Sequence, residues 1–126
     1  MPYAACLCGA VRITVDGELP PPDTCHCSIC RKISGHVFAA TAVPRDRITL
    51  DGAEHLRWYR SSDWARRGFC ATCGASLFFD MPDHPRLMIA MGAFESPTGR
   101  YLAEHINVAD KGDYYEIGDS LPRRAH

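Results

Sequence analysis

Seven cysteines gathered into three short groups constrain this chain of 126 residues more than any other feature. The groups are Cys6-Leu7-Cys8-Gly9, Cys25-His26-Cys27-Ser28-Ile29-Cys30 and Cys70-Ala71-Thr72-Cys73-Gly74. Closely spaced cysteines at tight turns aim two sulfurs at one ion, and Gly9 and Gly74 supply backbone freedom for amide groups to bend toward the thiolates. Residues 1–9 lack the basic start and apolar stretch of a signal peptide, so a cytoplasmic location is expected, where disulfides are disfavoured. An odd number of clustered thiols in a reducing compartment points to metal binding.

Geometry suggests how the sulfurs divide. The middle group holds three within six residues and is compact enough to clasp an ion without help. That leaves Cys6, Cys8, Cys70 and Cys73 as a four-thiolate set with the closed coordination of a structural zinc. Binding at such a site is worth on the order of 10 to 16 kcal/mol of apparent folding free energy, comparable with the whole net stability of a small domain. Cys25, Cys27 and Cys30 form a different kind of site, because zinc takes a fourth ligand and no further cysteine is near, leaving a position for water or substrate; the alternative is a second structural site completed by His26 or a distant histidine. Three thiolates outweigh the charge of a divalent ion, which disfavours hydroxide-driven hydrolysis and suits a soft incoming ligand such as a thiol. Arg31 and Lys32, immediately after Cys30, are candidates to offset that charge and hold a substrate carboxylate. His26 is read as an exposed spacer between two ligands, and His105 as a packed or strand-surface histidine rather than a ligand.

The rest of the chain reads as a single domain over residues 1–126, mainly β. Val11, Ile13 and Val15 alternate with Arg12, Thr14 and Asp16 before an Asp16-Gly17 turn, the pattern of a half-buried strand. Similar readings fit Val37–Val43, Arg47–Leu50, His55–Arg60, Ala75–Phe79, Arg86–Met91 and Glu104–Val108, giving about seven strands. Ser28–Ile33 is expected to form one helical turn after the metal loop. A formal net charge of -1 excludes the strongly basic surface that non-specific nucleic-acid binding requires. No apolar run approaches the roughly 20 residues that span a bilayer.

These cysteine groups, with Gly68-Phe69-Cys70-Ala71-Thr72-Cys73-Gly74-Ala75-Ser76-Leu77-Phe78 and the tail from His105-Ile106 to Leu121-Pro122, resemble the glutathione-dependent formaldehyde-activating (GFA) family and the related domain of centromere protein V. The resemblance covers nearly the whole chain in order. It implies a zinc-bound β-tent, with Cys6, Cys8, Cys70 and Cys73 matching the family's structural-zinc ligands and Cys25, Cys27 and Cys30 its catalytic-zinc ligands, two ions per chain. It also implies a carbon-sulfur lyase-type reaction, the reversible addition of glutathione or another thiol to formaldehyde or a related aldehyde. In the tail, Lys111-Gly112-Asp113-Tyr114-Tyr115 stands where many relatives carry Pro-Trp-Tyr.

The alternative expectation is a non-catalytic, zinc-scaffolded protein-binding module. A redox enzyme on a similar tent would need a free cysteine of low pKa, and the partition into four plus three leaves none.

Overall fold

Two antiparallel layers enclose the core, and the cysteine groups lie at their ends. The computed structural model describes all 126 residues. A small sheet pairs β1 (Tyr3–Ala5), β2 (Arg12–Val15) and β5 (Ile48–Asp51) in the order β1-β2-β5. The larger sheet contains β3 (Asp23–Cys25), β4 (Phe38–Pro44), β6 (Leu56–Arg60), β7 (Arg66–Cys70), β8 (Ser76–Asp80), β9 (Arg86–Ala90) and β10 (Glu104–Ile106), in the order β10-β3-β4-β9-β8-β7-β6. All its pairings are antiparallel except that of β10 with β3, where His105 stands beside Thr24 and Ile106 beside Cys25. The single α-helix, α1, runs Ser28–Ser34 and stops at Gly35, whose φ of 88° is left-handed. No helix is long and apolar enough to cross a membrane.

Period-two alternation decides which sheet face is core. Ala4, Ile13 and Val15 of the small sheet are fully buried against Val43, Leu56, Leu77, Phe78 and Ile89 of the large one. Along β4, Thr41 and Val43 are fully buried toward this core, while Phe38, Ala40 and Ala42 face the other way and line a cavity. A bulge in β8 makes room for adjacent inward residues: Phe69 pairs with Ser76 and Gly68 with Phe78, so Leu77 is the extra residue.

The mainly β expectation agrees with this architecture, and each of the seven expected strands contains or overlaps an observed one. Three strands carried no readable alternation. β1 has three residues, β3 begins the second cysteine group, and β7 spells Arg-Arg-Gly-Phe-Cys. The helical turn expected at Ser28–Ile33 is α1, two turns long.

Candidate metal centres and their cavity

The first and third cysteine groups fold into two knuckles of the same design. In one, Cys6 N–H donates to Val11 O at 3.0 Å and Gly9 N–H to Cys6 O at 3.1 Å. In the other, Cys70 N–H donates to Ala75 O at 3.0 Å and Gly74 N–H to Cys70 O at 2.8 Å. Gly9 and Gly74 have φ of 82° and 78°, conformations that a side chain would strain. The knuckles meet through the pairing of the two layers, and the sulfurs of Cys6, Cys8, Cys70 and Cys73 lie within 4.8 Å of one another. Cys6 Sγ is 3.6 Å from Cys8 Sγ, and Cys8 Sγ is 3.7 Å from Cys70 Sγ. Zinc–sulfur bonds of about 2.3 Å in a tetrahedron set sulfurs about 3.8 Å apart, so this quartet fits such an ion.

Amide groups prepare the quartet for a cation. Val11 N–H donates to Cys6 Sγ at 3.3 Å, and Thr72 and Cys73 N–H to Cys70 Sγ at 3.4 and 3.5 Å. Backbone donation, first from Ala75 and then from Cys8, holds the Cys73 thiol down at about 6. Burial raises Cys6, but Val11 N–H and the thiols of Cys8 and Cys70 overcome it and leave it below the usual thiol range.

The middle group is built differently. β3 delivers Cys25, the chain turns, and Cys27 caps α1 with extended backbone, its Sγ accepting from Cys30 N–H at 3.3 Å. The three sulfurs lie within 4.8 Å of one another, and no histidine or carboxylate completes the set. All three cysteines line a cavity of about 490 Å³. The donor set thus suits a soft ion with one corner facing open space.

Two side chains distant in sequence support this trio. Asn107 Nδ2–H donates to Cys25 Sγ at 3.2 Å, and the guanidinium of Arg67 donates to Cys30 Sγ through both terminal nitrogens, at 3.4 and 3.5 Å. Arg67 is 6% exposed and lies over the rings of Phe79 and Phe38, 4.3 and 5.7 Å from their centroids. Hydrogen bonding to Cys30 lowers the Cys25 thiol to about 5, aided by Asn107 against burial. Cys30 correspondingly moves up, through its bond with Cys25 and then burial, while the Arg67 charge opposes the rise. Arg31 and Lys32 stand elsewhere. Both are on α1, neither lines the cavity, and Lys32 is exposed.

His26 corrects the sequence reading. It is 2% exposed, and its ring points away from the cavity into a chain of polar groups. Tyr115 hydroxyl bonds His26 Nδ1, His26 Nε2 bonds His105 Nδ1 at 2.8 Å, and His105 Nε2 bonds the Asp119 carboxylate at 3.0 Å. Burial, followed by the neighbouring His105, lowers the His26 pKa and favours its neutral form. A neutral His26 offers one donor and one acceptor, so it links Tyr115 to His105, whose Nε2–H donates to the Asp119 carboxylate. His105 is packed, as read, and is no part of either sulfur group.

Comparison with known proteins decides the lineage. Residues 1–109 match the sequence profile described as Glutathione-dependent formaldehyde-activating enzyme. This chain belongs to the GFA family. A Halomonas elongata protein provisionally named as such an enzyme is 34% identical over 123 residues, covering 90% of this chain and 78% of its own length. An uncharacterized lyase of Schizosaccharomyces pombe is 34% identical over 115 residues, covering 90% of this chain and 83% of its own. The crystal structure of a Rhodobacter sphaeroides protein shares the fold, with a TM-score of 0.62, 28% identity, and coverage of 75% of this chain and 88% of that one. The tail residues Tyr115 and Asp119, which brace the second GFA cysteine loop through its histidine, lie beyond the matched region.

Proposed function

We propose that the protein is a zinc-dependent carbon-sulfur lyase-type enzyme, joining a thiol such as glutathione to formaldehyde or a related small aldehyde as a reversible S-hydroxyalkyl adduct. The observation that carries this reading is the three-sulfur set opening onto a cavity, beside a four-sulfur set that is closed. In this reading Cys6, Cys8, Cys70 and Cys73 hold a structural zinc, and Cys25, Cys27 and Cys30 hold the second. When bound there, zinc supplies a Lewis acid and lowers the pKa of a thiol brought to its open corner.

The chain's own residues do the rest. Arg67 puts one positive charge against the sulfur trio, offsetting the excess negative charge of three thiolates around a divalent cation. Asn107 orients Cys25, and the cap at Cys27 fixes the start of α1. Apolar walls from Phe38, Phe79 and Ile106 exclude water, so thiol and carbonyl meet in a fixed geometry. The substrate sulfur gives an electron pair to the carbonyl carbon, the carbon-oxygen π pair moves to oxygen, and the proton lost by the thiol ends on that oxygen. The reverse reaction breaks the same carbon-sulfur bond. Arg31 and Lys32 are retained only as contacts for a charged group outside the cavity.

The test is exchange NMR of labelled formaldehyde with glutathione. Protein carrying two zinc ions per chain should speed interconversion with the S-hydroxymethyl adduct, and Cys30→Ser should abolish the acceleration. No acceleration with glutathione or with any other thiol and aldehyde pair rejects the reading.

A further inference from the structure

The second sheet face gives the substrate site a character that the sulfur trio alone does not. Phe38, Ala40 and Ala42 of β4, with Phe79 of β8, Met88 of β9 and Ile106 of β10, make a floor that is apolar along its length. Phe38 pairs with Cys25, and Ala42 pairs with Met88 four residues farther on. The floor therefore extends about 13 Å from the trio, at about 3.3 Å per strand residue. Alanines at positions 40 and 42 keep it low. Trp64, in the loop between β6 and β7, stands over it edge-on to Phe79, with ring centroids 6.0 Å apart.

Formaldehyde has two heavy atoms and would leave nearly all of a 490 Å³ cavity unfilled. Glutathione would fill more of it, but with two carboxylates and an ammonium that need polar partners. The charged side chains on the wall are Arg67, already engaged with Cys30, and Asp23, which could meet the ammonium but repels both carboxylates. Burying such charges without partners is costly, whereas an apolar body gains from every contact with this floor.

We infer that the thiol taken by this site carries an apolar body, a short alkyl chain or an aryl-methyl group, lying along Ala40, Ala42 and Met88 beneath Trp64 with its sulfur at the Cys25, Cys27 and Cys30 end. This rests on the proposed thiol-aldehyde chemistry and narrows it: the aldehyde is small, and an apolar thiol is preferred over a charged peptide such as glutathione. Ala40, Ala42 and Met88 then set specificity by the length of chain they admit.

Trp64 reports occupancy directly, because Trp58 belongs to a different part of the sheet, stacked on Phe78. The zinc-loaded protein is titrated with propanethiol, pentanethiol, phenylmethanethiol, glutathione and phenylacetaldehyde while tryptophan emission is followed. Each methylene should tighten the dissociation constant about fourfold, hence about fifteenfold from propanethiol to pentanethiol. Glutathione should bind more weakly than either pentanethiol or phenylmethanethiol. The emission change should vanish in Trp64→Phe, with binding of the thiol retained by calorimetry. Ala42→Leu, facing the cavity rather than the core, should weaken pentanethiol at least tenfold and leave propanethiol nearly unchanged. Affinity independent of chain length, glutathione binding as tightly as pentanethiol, or a saturable response only to the aldehyde would each overturn the inference. The wild-type series is decisive even if Ala42→Leu does not fold. Chain-length-dependent binding without adduct formation would leave this inference standing and reject the proposed reaction. Adduct formation with glutathione but no preference for apolar thiols would do the reverse.

Discussion

Arg67 holds Cys30 Sγ between its two terminal nitrogens, at 3.4 and 3.5 Å, although the residues are 37 positions apart. The antiparallel strands β7 and β8 bring the guanidinium to the sulfur, and Phe79 fixes its plane from one side. Replacing it by glutamine removes the cation that balances the thiolate trio. Arg67→Gln should weaken retention of the second zinc about 10- to 100-fold and leave the first ion in place, measured by chelator competition. Arg67→Lys should recover only part, because an ammonium cannot present two parallel donors. Equal loss of both ions would reject this role.

The two sulfur sets should fail differently. Cys73→Ser opens the quartet that joins both knuckles and should prevent cooperative folding, seen as loss of the near-ultraviolet circular dichroism signal. Cys30→Ser should give a folded chain with about one zinc in place of two. Elemental analysis alongside circular dichroism checks both. Similar damage from the two substitutions would remove the distinction between structural and open sites.

Acid should attack the fold at Asp80. This carboxylate is 2% exposed and accepts from Arg45 Nη2 at 2.6 Å and Arg66 Nε at 2.8 Å. Burial raises its pKa, but the bonds from Arg45 and Arg66 outweigh that and leave it below the ordinary carboxylate value. A folded value below the unfolded one means that the stabilisation is complete above the unfolded pKa, about 4, and is lost as pH falls through the folded value. Asp80→Asn should cost about 2 to 3 kcal/mol at neutral pH and flatten the stability curve below about pH 4, read from urea midpoints.

The polar chain behind the metal loop should be separable from the core. Tyr115→Phe removes the hydroxyl bonded to His26 and should cost about 1 kcal/mol. Amide exchange should quicken around residues 104–119, while the amides of β7 and β8 stay protected. Unchanged exchange in the tail would show that other contacts hold it.

Gly52 has φ of 82°, and a Cβ placed there would lie 1.9 Å from the carbonyl oxygen of Ala10. Gly52→Ala should therefore destabilise by more than the roughly 1 kcal/mol of an ordinary left-handed position, because backbone must move beside the first knuckle. Thermal denaturation measures it.

What the sequence disclosed and what it concealed follow from contact range. Cys6 with Cys8, and Cys70 with Cys73, announce themselves because each knuckle is built within a few residues. The strand Val11–Val15 was legible because one face meets a core and the other meets water. β7 was not, because its arginine at position 67 points toward a buried sulfur and its glycine at position 68 accommodates the ring of Trp58. Arg31 and Lys32 drew attention by adjacency to Cys30, but adjacency on a helix does not set direction, and the facing cation came from another strand. His26 looked like a spacer because its partners, His105 and Tyr115, are 79 and 89 positions away. A parallel pairing between β3 and β10 creates that meeting, and local patterning carries no trace of it.

That parallel pairing also imposes an order on biosynthesis. Every cysteine precedes β10 in the chain, so all the thiols leave the ribosome before the strand beside Cys25 and the donor at Asn107 do. Both halves of the four-sulfur set therefore emerge while the trio still lacks its flank. The four-sulfur set can thus close first, and the cavity around the trio matures last.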